Sequence, residues 1–162
     1  PDPVLFLEPK RIYRLMKQAV PDDGKALPLD KCFIVKEGTD VTLVTWGAMI
    51  KETMEAAEQL ENAGISAEII DLATISPIDM ETILMSVEKT GRCVIIHEAP
   101  RTCGVGAEIA AQLAEYALDS LQAPVQRVTG YDTVMPYAQL EKYYMPSVAR
   151  IMKAVQVTLE YA

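Results

Sequence analysis

Between Cys32 and Gly130 the chain repeats one pattern: a short run of β-branched and aliphatic residues, a break, then a segment whose apolar residues recur at helical spacing. A strand has a side-chain period of two and a helix one of 3.6, so no single element can satisfy both rhythms. "CFIVKEG" (32–38) and "VTLVTW" (41–46) read as strands joined through Gly38, Thr39 and Asp40. Ile50, Met54, Ala57 and Leu60 give 48–63 one apolar face, with Lys51, Glu52, Glu55 and Glu58 opposite and Gly64 as the stop. "SAEIIDL" (66–72) is a strand. Asp79 is the expected N-cap of a helix carrying Met80, Ile83, Leu84 and Val87 and ending at Gly91. "RCVIIHE" (92–98) and "PVQRVTG" (124–130) are further strands, with a helix marked by Ile109, Leu113 and Tyr116 between them. The tail from Ser147 places Val148, Ile151, Met152, Val155 and Leu159 on one face. Strands separated by helices of this length imply βαβ units and a mostly parallel sheet covered on both faces, a three-layer α/β/α class.

The start of the chain does not share the pattern. "VLFLE" (4–8) is an apolar run cut by Pro9, "KRIYRLMKQAV" (10–20) reads as a brief helix, and "PDDGKALPLD" is a loop. Residues 1–30 are therefore expected to be a connector and 31–162 the domain. The first residue is Pro1, not Met, which points to a fragment or a processed product.

Half of the 162 residues are apolar, enough for one substantial core. No apolar run approaches the ~18 residues of a membrane span, so a soluble protein without a membrane role is expected. Cys32, Cys93 and Cys103 are odd in number and lack a CxxC spacing, which speaks for a reducing compartment and against disulfides or zinc. A net charge of −8 makes a nucleic-acid partner improbable and suits a basic one.

"HEAPRTCGVGAEIA", from His97, concentrates the candidate chemistry, since it joins the sole histidine to a glutamate, a cysteine and a Gly-x-Gly. A thiol enzyme would need Cys103 within reach of His97 and a third group to orient the ring. Glu98 cannot orient it, because neighbouring strand residues point to opposite faces. A phosphate loop would use Gly104 and Gly106, yet the third glycine and the acidic residue after the next strand are missing. The expected role of Glu98 is to accept the free amides around Gly104 to Gly106 as an internal anion at the helix start. Asp71 and Asp79 read as turn and cap residues, Trp46 as core, and Tyr143 with Tyr144 as a core or subunit-contact knot.

"EPKRIYR", "GTDVTLVTWGAMI", "AEIIDLATISPID", "VEKTGRCVIIHEAPRTCGVGAEIA", "APVQRVTGYDT" and "LEKYYMP" together resemble the C-terminal domain of the beta subunit of thiamine-diphosphate-dependent 2-oxo acid dehydrogenases, in the transketolase C-terminal group. "EPKRIYR", "HEAP" and "GYDT" resemble the branched-chain (2-oxoisovalerate) type most, ahead of the pyruvate and acetoin types. Cys103 replaces a glycine common in that family, and Val134 and Met135 replace a Pro and a Phe, which stiffens the loop. The resemblance implies five strands, one of them antiparallel, and no catalytic, cofactor or metal residues in this domain. Thiamine diphosphate and Mg would sit between the alpha subunit and the beta subunit's N-terminal domain. The implied partners are a second beta subunit, the alpha subunit, and the basic peripheral subunit-binding domain of a dihydrolipoyl acyltransferase, with Glu160, Tyr161 and the Ala162 carboxylate as the expected contact. The implied location is bacterial cytoplasm or mitochondrial matrix.

Overall fold

The computed structural model describes residues 3–15, 17 and 19–161. Its centre is a five-stranded sheet made of β1 (Phe33–Lys36), β2 (Val41–Thr45), β3 (Ala67–Asp71), β4 (Cys93–Pro100) and β5 (Gln126–Gly130) in the spatial order β1-β3-β2-β4-β5. β2, β3, β4 and β5 are parallel neighbours, and β1 lies antiparallel on the outer side of β3. The expected class and the single antiparallel strand are both present.

All five residues of β2 are buried, so this strand has no solvent face. Its alternate residues feed two separate cores. Val41 and Leu43 join Ile69, Val94 and Ile96 beneath α1 (Ile50–Asn62) and α5 (Val148–Leu159). Val44 joins Ile70, Cys93 and Ile95 beneath α2 (Met80–Thr90) and α3 (Val105–Tyr116). A polar spine crosses the second core, where the Thr42 hydroxyl is 2.7 Å from both Ser86 Oγ and Thr90 Oγ1 on α2. Each hydroxyl so paired avoids the cost of a buried unsatisfied group. A four-residue helix, α4 (Glu141–Tyr144), precedes α5.

The helix boundaries follow the chemistry expected of them. Asp79 Oδ1 accepts the Thr82 amide at 3.3 Å, Gly91 ends α2 at φ +71, and Ser147 Oγ accepts the Arg150 amide at 3.4 Å. Asp79 also accepts the Cys32 amide at 3.0 Å, which ties β1's entry to α2.

Two expectations change. β1 and β2 follow one another but do not pair, because β3 lies between them. The connection crosses the start of β3 instead: the amides of Thr39 and Asp40 donate to Ser66 O, and Asp40 Oδ2 accepts the Ser66 amide at 2.7 Å. Gly38 makes the crossing possible, since a Cβ there would collide with the backbone of Ala67 and Glu68. Glu68, fully buried, pairs with Lys89 and accepts the Gly38 amide at 3.3 Å. Burial works to raise its pKa, but hydrogen bonds led by Lys89 outweigh that and hold it below the ordinary carboxylate range.

The second change concerns 10–20, where helix is confined to a single 3-10 turn, Lys10–Ile12, among the described residues. Lys10 and Arg11 oppose the positive end of any helix starting there, and no side chain caps it.

Gly38→Ala is expected to lose at least ~3 kcal/mol, the upper range for overpacking, because backbone and not a mobile side chain stands in the way. Gly64→Ala, at φ +79 with nothing within 4 Å, should cost only about 1 to 2 kcal/mol of left-handed strain. Urea melts of the two variants check the difference.

Candidate functional site: the carboxyl-end crevice

In an open parallel sheet, ligands bind outside the carboxyl ends of the strands where the order of connection reverses. Here the reversal falls between β2 and β4, because the chain passes from β2 to β3 on one side and then to β4 on the other. α1 rises from β2 on one face and α3 from β4 on the opposite face, which leaves a crevice between their starts.

The α1 side of the crevice is filled by Arg11. Its guanidinium pairs with Glu52, in the first turn of α1, and reaches Glu98 Oε1 at 3.5 Å. This corrects the expected role of Glu98. Its carboxylate takes a guanidinium from 87 residues away and not the amides around Gly104 to Gly106, and the N-cap of α3, Gly104, has no side-chain cap. Strand parity explains why. His97 faces α3, so Glu98 must face α1.

The α3 side is filled by His97. The ring is 1% exposed and stacks on Trp46 with centroids 5.2 Å apart and planes 15° from parallel. A Cβ on Gly104 would lie 2.7 Å from His97 Cε1, and one on Gly106 2.6 Å from His97 Nε2. The two glycines are therefore small because an imidazole occupies the space beside them. Among the described residues neither ring nitrogen has a hydrogen-bond partner. Burial first, and the Arg127 charge second, hold the His97 pKa below the ordinary histidine value, with the Ala99 backbone opposing them.

The loop between β4 and α3 is tied down by residues that local patterning does not single out. Asp132, just after β5, accepts the Thr102 amide at 2.9 Å and the Thr102 hydroxyl at 2.7 Å, and these bonds keep its pKa low. Arg127 donates to the Arg101 carbonyl at 3.0 Å, and Arg101 returns a bond to the Arg127 carbonyl at 3.3 Å. Arg150 gathers the carbonyls of Thr129, Tyr144 and Met145 and lies 4.7 Å from the Tyr131 ring centroid. Only long-range pairing reveals Arg11, Asp132 and Arg127; the signal in the sequence is their presence inside "EPKRIYR" and "APVQRVTGYDT".

The remaining candidates separate. Cys103 is exposed at φ +59, the left-handed region where glycine is at ease, while His97 is enclosed, and no hydrogen bond joins the two. Cys32 and Cys93 are buried, and burial pushes both thiols up to about 12, so neither is a ready nucleophile. Asp71 accepts the Ala73 amide as a turn residue, at 3.1 Å. Tyr144 is buried against Gly130, but its neighbour Tyr143 is exposed. Glu160 and Tyr161 are exposed just beyond α5, with Glu160 Oε1 bonded to Gln156 at 2.7 Å, and Ala162 lies outside the described residues. Among the described residues no three His, Cys, Asp or Glu side chains converge as a metal group, and no helix is long and apolar enough to cross a membrane.

The fold and this self-filled crevice define a three-layer α/β domain of the doubly wound kind. The chain belongs to the transketolase C-terminal domain family, whose model matches residues 30–151. It is 46% identical over 160 residues to a pyruvate dehydrogenase E1 component subunit beta of Staphylococcus epidermidis, and 45% identical to that of Staphylococcus aureus. Each match covers 99% of this chain and 49% of the relative, so the chain spans about half the length of these curated relatives. Among solved structures it resembles a split-gene transketolase described as an inactive beta4 tetramer, with 33% identity, a TM-score of 0.75, and coverage of 89% of this chain and 46% of that one. A 2-oxoglutarate:ferredoxin oxidoreductase shares the fold at 14% identity and a TM-score of 0.50.

His97 yields a pH dependence of fixed sign. The unfolded ring titrates near 6.5 and the folded one lower, so below pH ~6.5 the unfolded state binds more protons and stability falls as pH falls. The slope can reach ~1.4 kcal/mol per pH unit until the folded pKa is passed. Because the chain has a single histidine, His97→Gln should abolish that slope between pH 6.5 and 5.5 even if it lowers stability throughout. Melting temperatures of both proteins across this range, with the wild type flat, would refute the assignment.

Proposed function

We propose that this chain is the C-terminal half of the beta subunit of a thiamine-diphosphate-dependent 2-oxo acid dehydrogenase, in which it pairs subunits and carries partner surfaces while the chemistry takes place elsewhere. The observation that carries this reading is a match along 99% of the chain to pyruvate dehydrogenase E1 beta subunits, joined to a crevice already filled by Arg11 and His97. The residues present do not fit the cofactor. Arg11 occupies the α1 side of the crevice and His97 the α3 side, and the carboxylates of Glu52, Glu98 and Asp132 are already paired with Arg11 and Thr102. Thiamine diphosphate and Mg therefore belong to the rest of the enzyme, and no step of the reaction runs through the residues described here. Residues 1–30 are the connection to that upstream part and 31–162 the domain itself.

Pyruvate is the substrate we favour, because the curated relatives at 45–46% identity are of the pyruvate type. The branched-chain acids suggested by "EPKRIYR", "HEAP" and "GYDT" are the alternative, followed by acetoin. The partners are the alpha subunit, a second beta subunit about a two-fold axis, and the peripheral subunit-binding domain of the acyltransferase. That domain's cations would meet the exposed Glu160 and Tyr161 next to Ala162, helped by the chain's net charge of −8. The bacterial relatives make bacterial cytoplasm the favoured setting over a mitochondrial matrix. A separate phosphate- or nucleotide-binding domain is disfavoured by His97, which occupies the space beside Gly104 and Gly106.

Two measurements test the reading. The intact subunit with its alpha partner should decarboxylate pyruvate faster than 3-methyl-2-oxobutanoate, and the reverse order would restore the branched-chain assignment. Affinity for a purified peripheral subunit-binding domain should weaken with added salt and on deletion of residues 160–162; indifference to both would remove the tail contact.

A further inference from the structure

On the face covered by α1, the sheet reaches one strand further than its helices. β1 is the outermost strand, none of its four residues is buried, and none joins the core beneath α1 and α5. α1 sits instead on Leu43 of β2 and Ile69 of β3, through Ala56, Ala57 and Leu60. Beside it, over β1, lies an open groove of about 670 Å³. Its floor is apolar: Val35 is 48% exposed, Met54 41%, and Ile50 packs against the core from the groove side.

Two features of β1 argue against another strand as the occupant. It has only four residues, and its register with β3 slips between Ile34 and Lys36, so Val35 is a bulged residue without a partner. Short length, a bulge and an edge lysine all keep a sheet edge from pairing. The rim has the shape of a seat for a helix. Lys51, Met54, Glu55, Glu58 and Glu61 form one stripe along α1 at spacings of three and four. That stripe rises ~15 Å, about three helical turns. A helix laid along it would extend the α1 layer over β1 at the usual spacing of about 8 to 10 Å.

The rim is also unevenly charged. Four carboxylates, Glu55, Glu58, Glu61 and Asp71, stand against two lysines. Both lysines are engaged, Lys36 with Glu61 at 2.7 Å and Lys51 with Glu55 at 3.6 Å. Among the described residues no cation pairs with Glu58 or Asp71. Burial raises the Asp71 pKa against the pull of the Ala73 amide, and no neighbouring cation offsets it.

We infer that the groove between β1 and α1 is a docking site for an amphipathic helix of a partner protein. Its aliphatic side chains would rest on Val35, Ile50 and Met54, and its lysines or arginines would meet Glu58 and Asp71. Apolar floor and acidic rim together select this chemistry, because the floor rewards burial and the rim rejects an acidic partner. The site uses no residue of the Arg11 clasp or of 160–162, so it stands apart from the acyltransferase contact proposed above.

The probe is a fluorescein-labelled leucine–lysine peptide of about 14 residues, long enough for a marginal helix, with its leucines at helical spacing. It is titrated into the full-length protein that contains this chain and read by fluorescence anisotropy. A micromolar Kd is expected, weakened at least ~10-fold when glutamate replaces lysine in the peptide. A peptide of the same composition with leucine and lysine alternating, which favours a strand, should bind at least ~10-fold more weakly. Val35→Asp, which puts a charge in the floor, should cost at least ~10-fold, and Glu58→Lys at least ~5-fold. Both positions lie at the surface, so melting temperatures should hold. Absence of saturable binding, or an affinity unchanged by either substitution, overturns the site. Equal or tighter binding of the alternating peptide assigns the edge to strand pairing and overturns the helix. Self-association of the protein that Val35→Asp abolishes gives the groove to a second copy and overturns the partner.

Discussion

Everything in this domain follows from a central strand that has no solvent side. β2 sends Val41 and Leu43 into one core and Val44 into the other, so helices must cover both faces of the sheet. Helices on both faces require the chain to leave β2 for one side of the sheet and later return to the other. That reversal opens a crevice at the carboxyl ends of β2 and β4. A fold of this type is given its crevice by topology before any side chain is chosen.

The side chains then decide whether the crevice receives a ligand. Two helix starts face it, and each presents free amides that favour an anion. In this chain Glu52 supplies a carboxylate within the first turn of α1, and Arg11 bridges it to Glu98. At α3 the glycines that could have approached a phosphate approach His97 instead. Exposed ion pairs contribute little to stability, about 0 to 1 kcal/mol each, so the Arg11 clasp matters for where it holds the upstream segment more than for how tightly it holds the fold. The pair of buried Glu68 and half-exposed Lys89 is different. Its carboxylate is fully enclosed, and losing the lysine would strand a charge beneath α2.

Local chemistry was legible and distant pairing was not. Asp79, Gly91 and Ser147 could be read as helix ends because caps and stops act within a few residues of where they stand. The opposite facing of His97 and Glu98 followed from strand parity alone. By contrast, Glu98 was matched to the nearest free amides, because its true partner lies 87 positions upstream in a segment with no periodicity. Asp132 reaches Thr102 across 30 residues for the same reason. The adjacency of β1 and β2 misled in the same way: two strands with a short link ordinarily pair, and only the close approach of Gly38 to β3 reveals that the link crosses a third strand.

The same geometry explains why motifs that identify the family so firmly say little about any substrate. Arg11 of "EPKRIYR", Glu98 of "HEAP" and Asp132 of "GYDT" are each engaged in a joint: Arg11 with Glu52 and Glu98, and Asp132 with Thr102. Their partners are backbone amides, a hydroxyl and one another. To distinguish a methyl group from a branched chain, a site must present an apolar wall of chosen depth, and such discrimination is worth only about 1 to 3 kcal/mol even when the wall is well built. These residues build no such wall. A resemblance carried by them is a resemblance of architecture, and a preference for one substrate over another would have to rest on residues outside this set of joints.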